Sequence, residues 1–148
     1  MGAYFHFPLA VAKDSAMGEG RASVMARPVA GNIDRAAGLA FAVRSAGTYL
    51  VLRVNALEDN VILFEFTDGE RRELESAPLP VASGQWTELA VEVAGGRVTG
   101  FVDGNPVLSH RFDETPQGLL GLWTKADSVS DFAGLTRTNK DGERRFPM

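Results

Sequence analysis

Rings, charges and amides alternate along several short stretches of this chain. Within Thr48–Asn55, Tyr49, Val51, Arg53 and Asn55 fall at every second position. An extended backbone points them to one side, and Leu50, Leu52 and Val54 to the other. Further along, Ile62, Phe64 and Phe66 alternate with Glu65, and Leu120 and Leu122 alternate with Trp123 and Lys125. Burying the apolar sets predicts one sheet face that carries Arg44, Tyr49, Arg53, Asn55, Glu65, Trp123 and Lys125, with Asp127 at its rim. Such a mixture suits sugar recognition: a ring stacks on the apolar side of a pyranose while polar groups pair with hydroxyls in fixed directions. The same residues admit a plainer role. Arg53, Glu65, Lys125 and Asp127 would make a cross-strand charge ladder, Trp123 would pack under a loop, and Asn55 would cap a turn.

Catalysis is harder to assemble from these residues. Retaining glycosidases need two carboxyl groups about 5–5.5 Å apart. Glu73 and Glu75 share a parity in Arg71–Glu75, but no third acid accompanies them, and Glu58 and Asp59 belong to a turn. Ser109, His110 and Asp113 hint at a triad, yet neighbours on a strand face opposite ways, so Ser109 and His110 are poorly placed to bond. No catalytic residue is assigned. His6 and His110 are the only histidines and lie far apart, which makes a poor metal cluster. Calcium is the one ion with candidate ligands, the hard oxygens of Asp103, Asn105, Asp127 and Asp131, although no spacing singles them out and Asp103 is accounted for by a turn. The glycines form neither a dinucleotide fingerprint nor a phosphate loop.

The elements that would position these residues are strands. Alternation of period two recurs over Phe5–Lys13, Gly20–Pro28, Ala37–Arg44, Thr48–Asn55, Asn60–Thr67, Arg71–Ala77, Trp86–Ala94, Arg97–Val102, Pro106–Arg111, Gly118–Lys125 and Val129–Thr138, about eleven strands in all. The pairs Asp68-Gly69, Gly95-Gly96 and Asp103-Gly104 sit between strands and supply the positive φ angles of tight hairpin turns. Only Gly31–Ala37 and Asp113–Gln117 could hold a single helical turn. Many short antiparallel strands with few helices imply an all-β sandwich or barrel. With no internal repeat or linker, residues 1–138 are predicted to form one domain, followed by a polar tail, 139–148, outside the core.

Bulk composition narrows the function classes. A net charge of −4 argues against nucleic acid as a partner and supplies no polybasic anchor for a membrane surface. The absence of cysteine excludes a disulfide framework and thiolate metal sites. No run approaches the roughly 20 apolar residues of a membrane-spanning helix. Met1–Lys13 lacks the three regions of a signal peptide, which leaves two alternatives: the protein stays in the cytoplasm, or it is secreted or periplasmic and a leader has been removed.

One resemblance sharpens the fold. Residues 82–104 carry a Trp opening a strand (Trp86), alternating Leu89, Val91 and Val93, a hairpin, and the Asp103-Gly104 turn. This pattern resembles the laminin-G/concanavalin A-like superfamily. Tyr49–Val61 looks like the YYVVRVNALENNV segment of a bacterial laminin-G-like group, and Gly121–Ser128 looks like its GLWTKADS segment. The resemblance spans roughly Phe7 to Thr136 and includes similarity to the domain of unknown function called 3-keto-disaccharide hydrolase. It implies an all-β, two-sheet antiparallel jelly-roll sandwich. Glycosidases of that superfamily carry an E-x-D-x-x-E strand, which does not occur here. Where the group ends in FDDL, this chain reads Asp131-Phe132-Ala133-Gly134-Leu135, so the acidic residues between Phe and Leu are lost. The function expected from these readings is a non-catalytic module that binds carbohydrate, or another surface polymer such as a protein ligand. The alternatives are a hydrolase of the 3-keto-disaccharide type and a structural domain that forms a homodimer through an exposed sheet edge or face.

Overall fold

A computed structural model describes residues 3–6, 9–30, 36–124 and 129–147, with side chains for 9–28, 36–124 and 131–147. Thirteen strands run through the described residues: β1 (Ala3–His6), β2 (Leu9–Ala12), β3 (Gly20–Ala30), β4 (Ala36–Ser45), β5 (Thr48–Asn55), β6 (Asn60–Thr67), β7 (Glu70–Pro78), β8 (Thr87–Ala94), β9 (Arg97–Val102), β10 (Asn105–Arg111), β11 (Leu119–Thr124), β12 (Val129–Asn139) and β13 (Gly142–Arg145). They form a seven-stranded sheet, β1-β2-β11-β4-β5-β6-β7, and a six-stranded sheet, β10-β9-β8-β3-β12-β13, with every neighbouring pair antiparallel. The chain changes sheet between β2 and β3, β3 and β4, β7 and β8, β10 and β11, and β11 and β12. The architecture is the expected two-sheet antiparallel jelly-roll sandwich.

Local chemistry explains the hairpins. Asp68 and Gly69, Gly95 and Gly96, and Asp103 and Gly104 all have positive φ, between 49° and 84°, as two-residue primed turns require. Asp103 also accepts a hydrogen bond from the Glu88 N–H at 2.9 Å, which ties this turn to β8.

Two apolar layers flank the seven-stranded sheet. Its inner side, with Leu39, Phe41, Leu50, Leu52, Val54, Val61 and Leu63, packs against Val24, Leu89, Val91, Val93, Val98 and Leu135 of the other sheet. Its outer side carries a second cluster, which includes Leu9, Val11, Ala40, Tyr49, Val51, Ile62, Phe64 and Trp123. β5 is therefore buried on both faces.

The structure differs from the sequence-based expectations in several places. Phe5–Lys13 is two paired strands, β1 and β2, rather than one. The segment 139–148, expected outside the core, instead finishes β12 and forms β13, and Phe146 is buried in the inter-sheet core. Phe146 is the apolar anchor that lets so polar a segment extend the sheet, and its N–H donates to the Leu135 carbonyl at 2.9 Å. Residues 113–117 form a bend and irregular chain instead of a helical turn. The other possible turn, Gly31–Ala37, lies outside the described residues except for Ala36 and Ala37, which open β4.

Candidate functional site

The predicted recognition face is filled. Tyr49, Arg53 and Trp123 do share the outer side of the seven-stranded sheet, but they are 4 %, 2 % and 2 % exposed, and Asn55 is 0 % exposed. The cause is register. β5 pairs with β6 so that Tyr49 opposes Phe66, Val51 opposes Phe64 and Arg53 opposes Ile62. Directly opposed residues share a face, so Ile62, Phe64 and Phe66 join the Arg53 side, contrary to their expected place in the core. Glu65 goes to the inner side opposite Leu50. Alternation within each strand is legible in the sequence; the phase between strands is not.

The buried polar groups on this side organise structure. The Arg53 guanidinium lies 5.2 Å from the Phe64 ring centre and donates to Asn60 Oδ1 at 2.7 Å and to Glu58 Oε1 at 3.5 Å. Asn55 Oδ1 accepts from the N–H groups of Leu57 and Glu58, and its amide donates to Glu58 Oε1 at 2.9 Å. Together they fasten the β5–β6 connection. Trp123 Nε1 donates to the Tyr49 hydroxyl at 3.1 Å, and Tyr49 stacks on Phe66 with ring centres 4.7 Å apart. Burial pushes the Tyr49 phenol above its ordinary pKa of 10.0, and the Trp123 hydrogen bond partly offsets the rise. Lys125 and Asp127 lie outside the described residues.

Bulges overturn two further parity readings. β7 has an irregularity at Leu74: Glu73 opposes Phe64 on the outer side, whereas Glu75 opposes Leu63 on the inner side. The two glutamates therefore lack the shared face that paired catalysis needs. Glu75 meets His110 Nδ1 at 2.9 Å across the two sheets. The second irregularity lies in β4 between Phe41 and Ser45, where Ala42 has φ of 51°. Phe41 and Ala42 both pack toward the inner core and Val43 turns outward. Beyond this irregularity Arg44 reaches the open end of the sandwich, beside the segment 112–117.

A groove of about 440 Å³ occupies that end. Ala42 and Arg44 of β4, Thr48–Leu50 of β5, Glu65–Thr67 of β6 and the segment 112–117 line it. Three expected site residues, Arg44, Tyr49 and Glu65, thus meet here rather than on the flat of the sheet. Glu65 is held by Arg72 at 2.8 Å, and Arg44 Nε reaches the Gln117 carbonyl at 3.4 Å.

The far wall is pinned at both ends. The Phe112 N–H donates to the Gly96 carbonyl at 2.8 Å, and the Phe112 ring meets His110 edge-on at 4.8 Å. At the other end Gly118 exchanges backbone hydrogen bonds with Met17 at 2.9 and 3.2 Å. A Cβ at Gly118 would come within 2.5–2.6 Å of the Ala42 and Val43 backbone. Only glycine lets this wall approach the β4 bulge so closely. Turn chemistry accounts for the glycines at the sequence level and carries no signal for this contact, because the crossing segments are remote in the chain.

Two other surface features bear on function. Trp86, read from sequence as a strand anchor, is 44 % exposed just before β8, with the Arg27 guanidinium 5.0 Å from its ring centre. Arg27 in turn pairs with Asp131 at 2.5 Å. Among the calcium candidates, Asp131 is therefore ion-paired, Asp103 is used by its turn, Asn105 is exposed at the start of β10, and Asp127 lies outside the described residues. No cluster of three or more His, Asp or Glu suited to a metal occurs among the described residues.

No family model and no curated protein matches the chain. Solved structures do. A carbohydrate binding module, CBM66, from Bacillus subtilis superposes with a TM-score of 0.78 at 20 % identity, covering 87 % of this chain and 80 % of that one. Caenorhabditis elegans galectin LEC-6 gives 0.59 at 13 % identity, covering 90 % and 95 %. Bacillus licheniformis beta-glucanase gives 0.58 at 12 % identity, covering 95 % and 71 %. At these identities the likeness is one of fold.

Proposed function

We propose that this protein binds carbohydrate without turning it over, and that the groove at the open end of the sandwich is where the sugar sits. The observation that carries this reading is the lining of that groove. Arg44, Thr48, Glu65, Thr115 and Gln117 offer donors and acceptors, and Leu50 and Phe112 add apolar surface. A volume of about 440 Å³ lies within the range of roughly 300–1,000 Å³ typical of small-ligand sites. Support also comes from a carbohydrate binding module and a galectin being built on the same fold.

A hydrolase reading is less well supported. Glu73 and Glu75 sit on opposite sides of β7, and Glu65 in the groove is engaged by Arg72.

The test is affinity electrophoresis against mixed-linkage β-glucan, laminarin, galactomannan and xylan, with Arg44→Ala alongside the wild type. At least one polysaccharide is expected to retard the wild type, and Arg44→Ala to weaken that retardation roughly tenfold, about 1.4 kcal/mol. Prolonged incubation with the retarding polysaccharide is expected to release no reducing ends. Indifference of the protein to every polysaccharide, or an Arg44→Ala variant retarded like wild type, would overturn the assignment of the groove.

A further inference from the structure

The groove does not stop at Gln117. A second depression of about 490 Å³ shares Arg44 and Gln117 with it and continues along Ala16, Met17, Gly18 and Asn139. A third, of about 440 Å³, shares Gly18 and Asn139 with the second and ends at Glu19 and Lys140. The shared residues make the three depressions neighbours in a row across the open end of the sandwich. Each alone has the volume of a small-ligand site. A single sugar unit would leave most of the row empty.

Charge along the row selects the kind of chain. The ionisable side chains lining it are Arg44 and Lys140 on one side of the balance, and Glu19, Glu65, Asp113 and Glu114 on the other. Glu65 is matched by Arg72, and Glu19 accepts the Gly95 N–H at 2.6 Å. The remaining carboxylates repel a polyanion and leave no excess of cations to neutralise one. Hydroxyl-rich neutral polymers carry no such penalty.

We infer that the three depressions are consecutive subsites for an extended stretch of a neutral polysaccharide, with the Arg44–Gln117 junction as the waist. The inference rests on the carbohydrate-binding reading above. It adds a number of sugar units, a direction along the end of the sandwich, and exclusion of acidic polymers.

The experiment is titration calorimetry with the neutral polysaccharide that retards the protein, with its mono-, tri- and hexasaccharide, and with polygalacturonate and chondroitin sulfate. Two plugs go into exposed positions of the outlying depressions, Ala16→Trp in the second and Lys140→Trp in the third, and circular dichroism checks that each variant is folded. Affinity is expected to rise at least about tenfold from the monosaccharide to the hexasaccharide. Either plug should remove much of that rise while leaving the monosaccharide affinity unchanged, so one folded plug suffices. The acidic polymers should bind more weakly than the neutral one. A monosaccharide as tight as the hexasaccharide, a folded plug without effect on the hexasaccharide, or preference for an acidic polymer would overturn the extended site while leaving carbohydrate binding intact. Absence of binding to any neutral polysaccharide would remove the underlying reading and this inference with it.

Discussion

Tyr49 and Trp123 illustrate how one pair of side chains can serve either packing or recognition. A tyrosine and a tryptophan on a charged sheet suggest a sugar platform, but here each satisfies the other's polar atom inside an apolar layer, and Phe66 stacks on the tyrosine. Buried polar groups must be paired, and this pairing closes the Trp123 side of the tyrosine to a ligand. The raised Tyr49 pKa has a consequence for stability. The folded chain holds the phenolic proton to higher pH than the unfolded chain does. The favourable contribution is therefore present below about pH 10 and is lost as pH climbs through the folded-state value. In Tyr49→Phe the Trp123 N–H loses its acceptor, at a cost of about 1–3 kcal/mol. Urea denaturation at pH 8 should show that loss. Repetition between about pH 9.5 and 11.5, a window that brackets the ordinary phenol value, should show wild-type stability falling more steeply than that of the variant. Parallel curves would mean that Tyr49 does not titrate differently in the two states.

Elements show where sequence inspection succeeds and where it stops. Primed turns at Asp68-Gly69, Gly95-Gly96 and Asp103-Gly104 are legible because two adjacent residues with positive φ have a sharp compositional signature. The strands between them emerge from alternation. Bulges have no comparable signature: Ala42 is not a residue type that announces φ of 51°, and Leu74 fits an unbroken alternation. Each bulge moves the residues beyond it to the other face, which is how Arg44 reaches the groove and how Glu73 and Glu75 part company. Gly118 completes the element-scale design by letting the 112–117 wall touch the β4 bulge. Gly118→Ala forces atoms together that cannot coexist, and overpacking of this kind costs about 1–3 kcal/mol. Thermal unfolding should report that loss, together with weaker retention on the polysaccharide that binds the wild type. An unchanged melting temperature would show that the wall can retreat without cost.

At the scale of the whole molecule, a sheet buried on both sides leaves its flat faces little freedom to bind. The seven-stranded sheet spends its inner side on the core and its outer side on a second apolar cluster. In the proposed reading, recognition falls to the open end, where the strands stop and connecting segments supply polar groups without disturbing the packing. Fold class is readable because strand alternation and turn chemistry are properties of neighbouring residues. The site is readable only in part, because Arg44, Tyr49 and Glu65 are brought together by register, bulges and a remote glycine contact. Arg53 and Asn55 share the expected face, and Asn55 caps its turn as the plainer reading has it, but nothing within their own strand says what will lie across from them and bury them.

An amide ¹H–¹⁵N titration with the hexasaccharide of the retarding polysaccharide addresses the central claim most directly, since it reports every exposed surface at once. The largest shifts should cluster at Arg44, Thr48, Phe66, Thr115 and Gln117, with smaller ones spreading toward Gly18 and Asn139. Shifts concentrated instead on the Trp86–Arg27 surface of the six-stranded sheet would contradict the assignment of the binding site to the end of the sandwich.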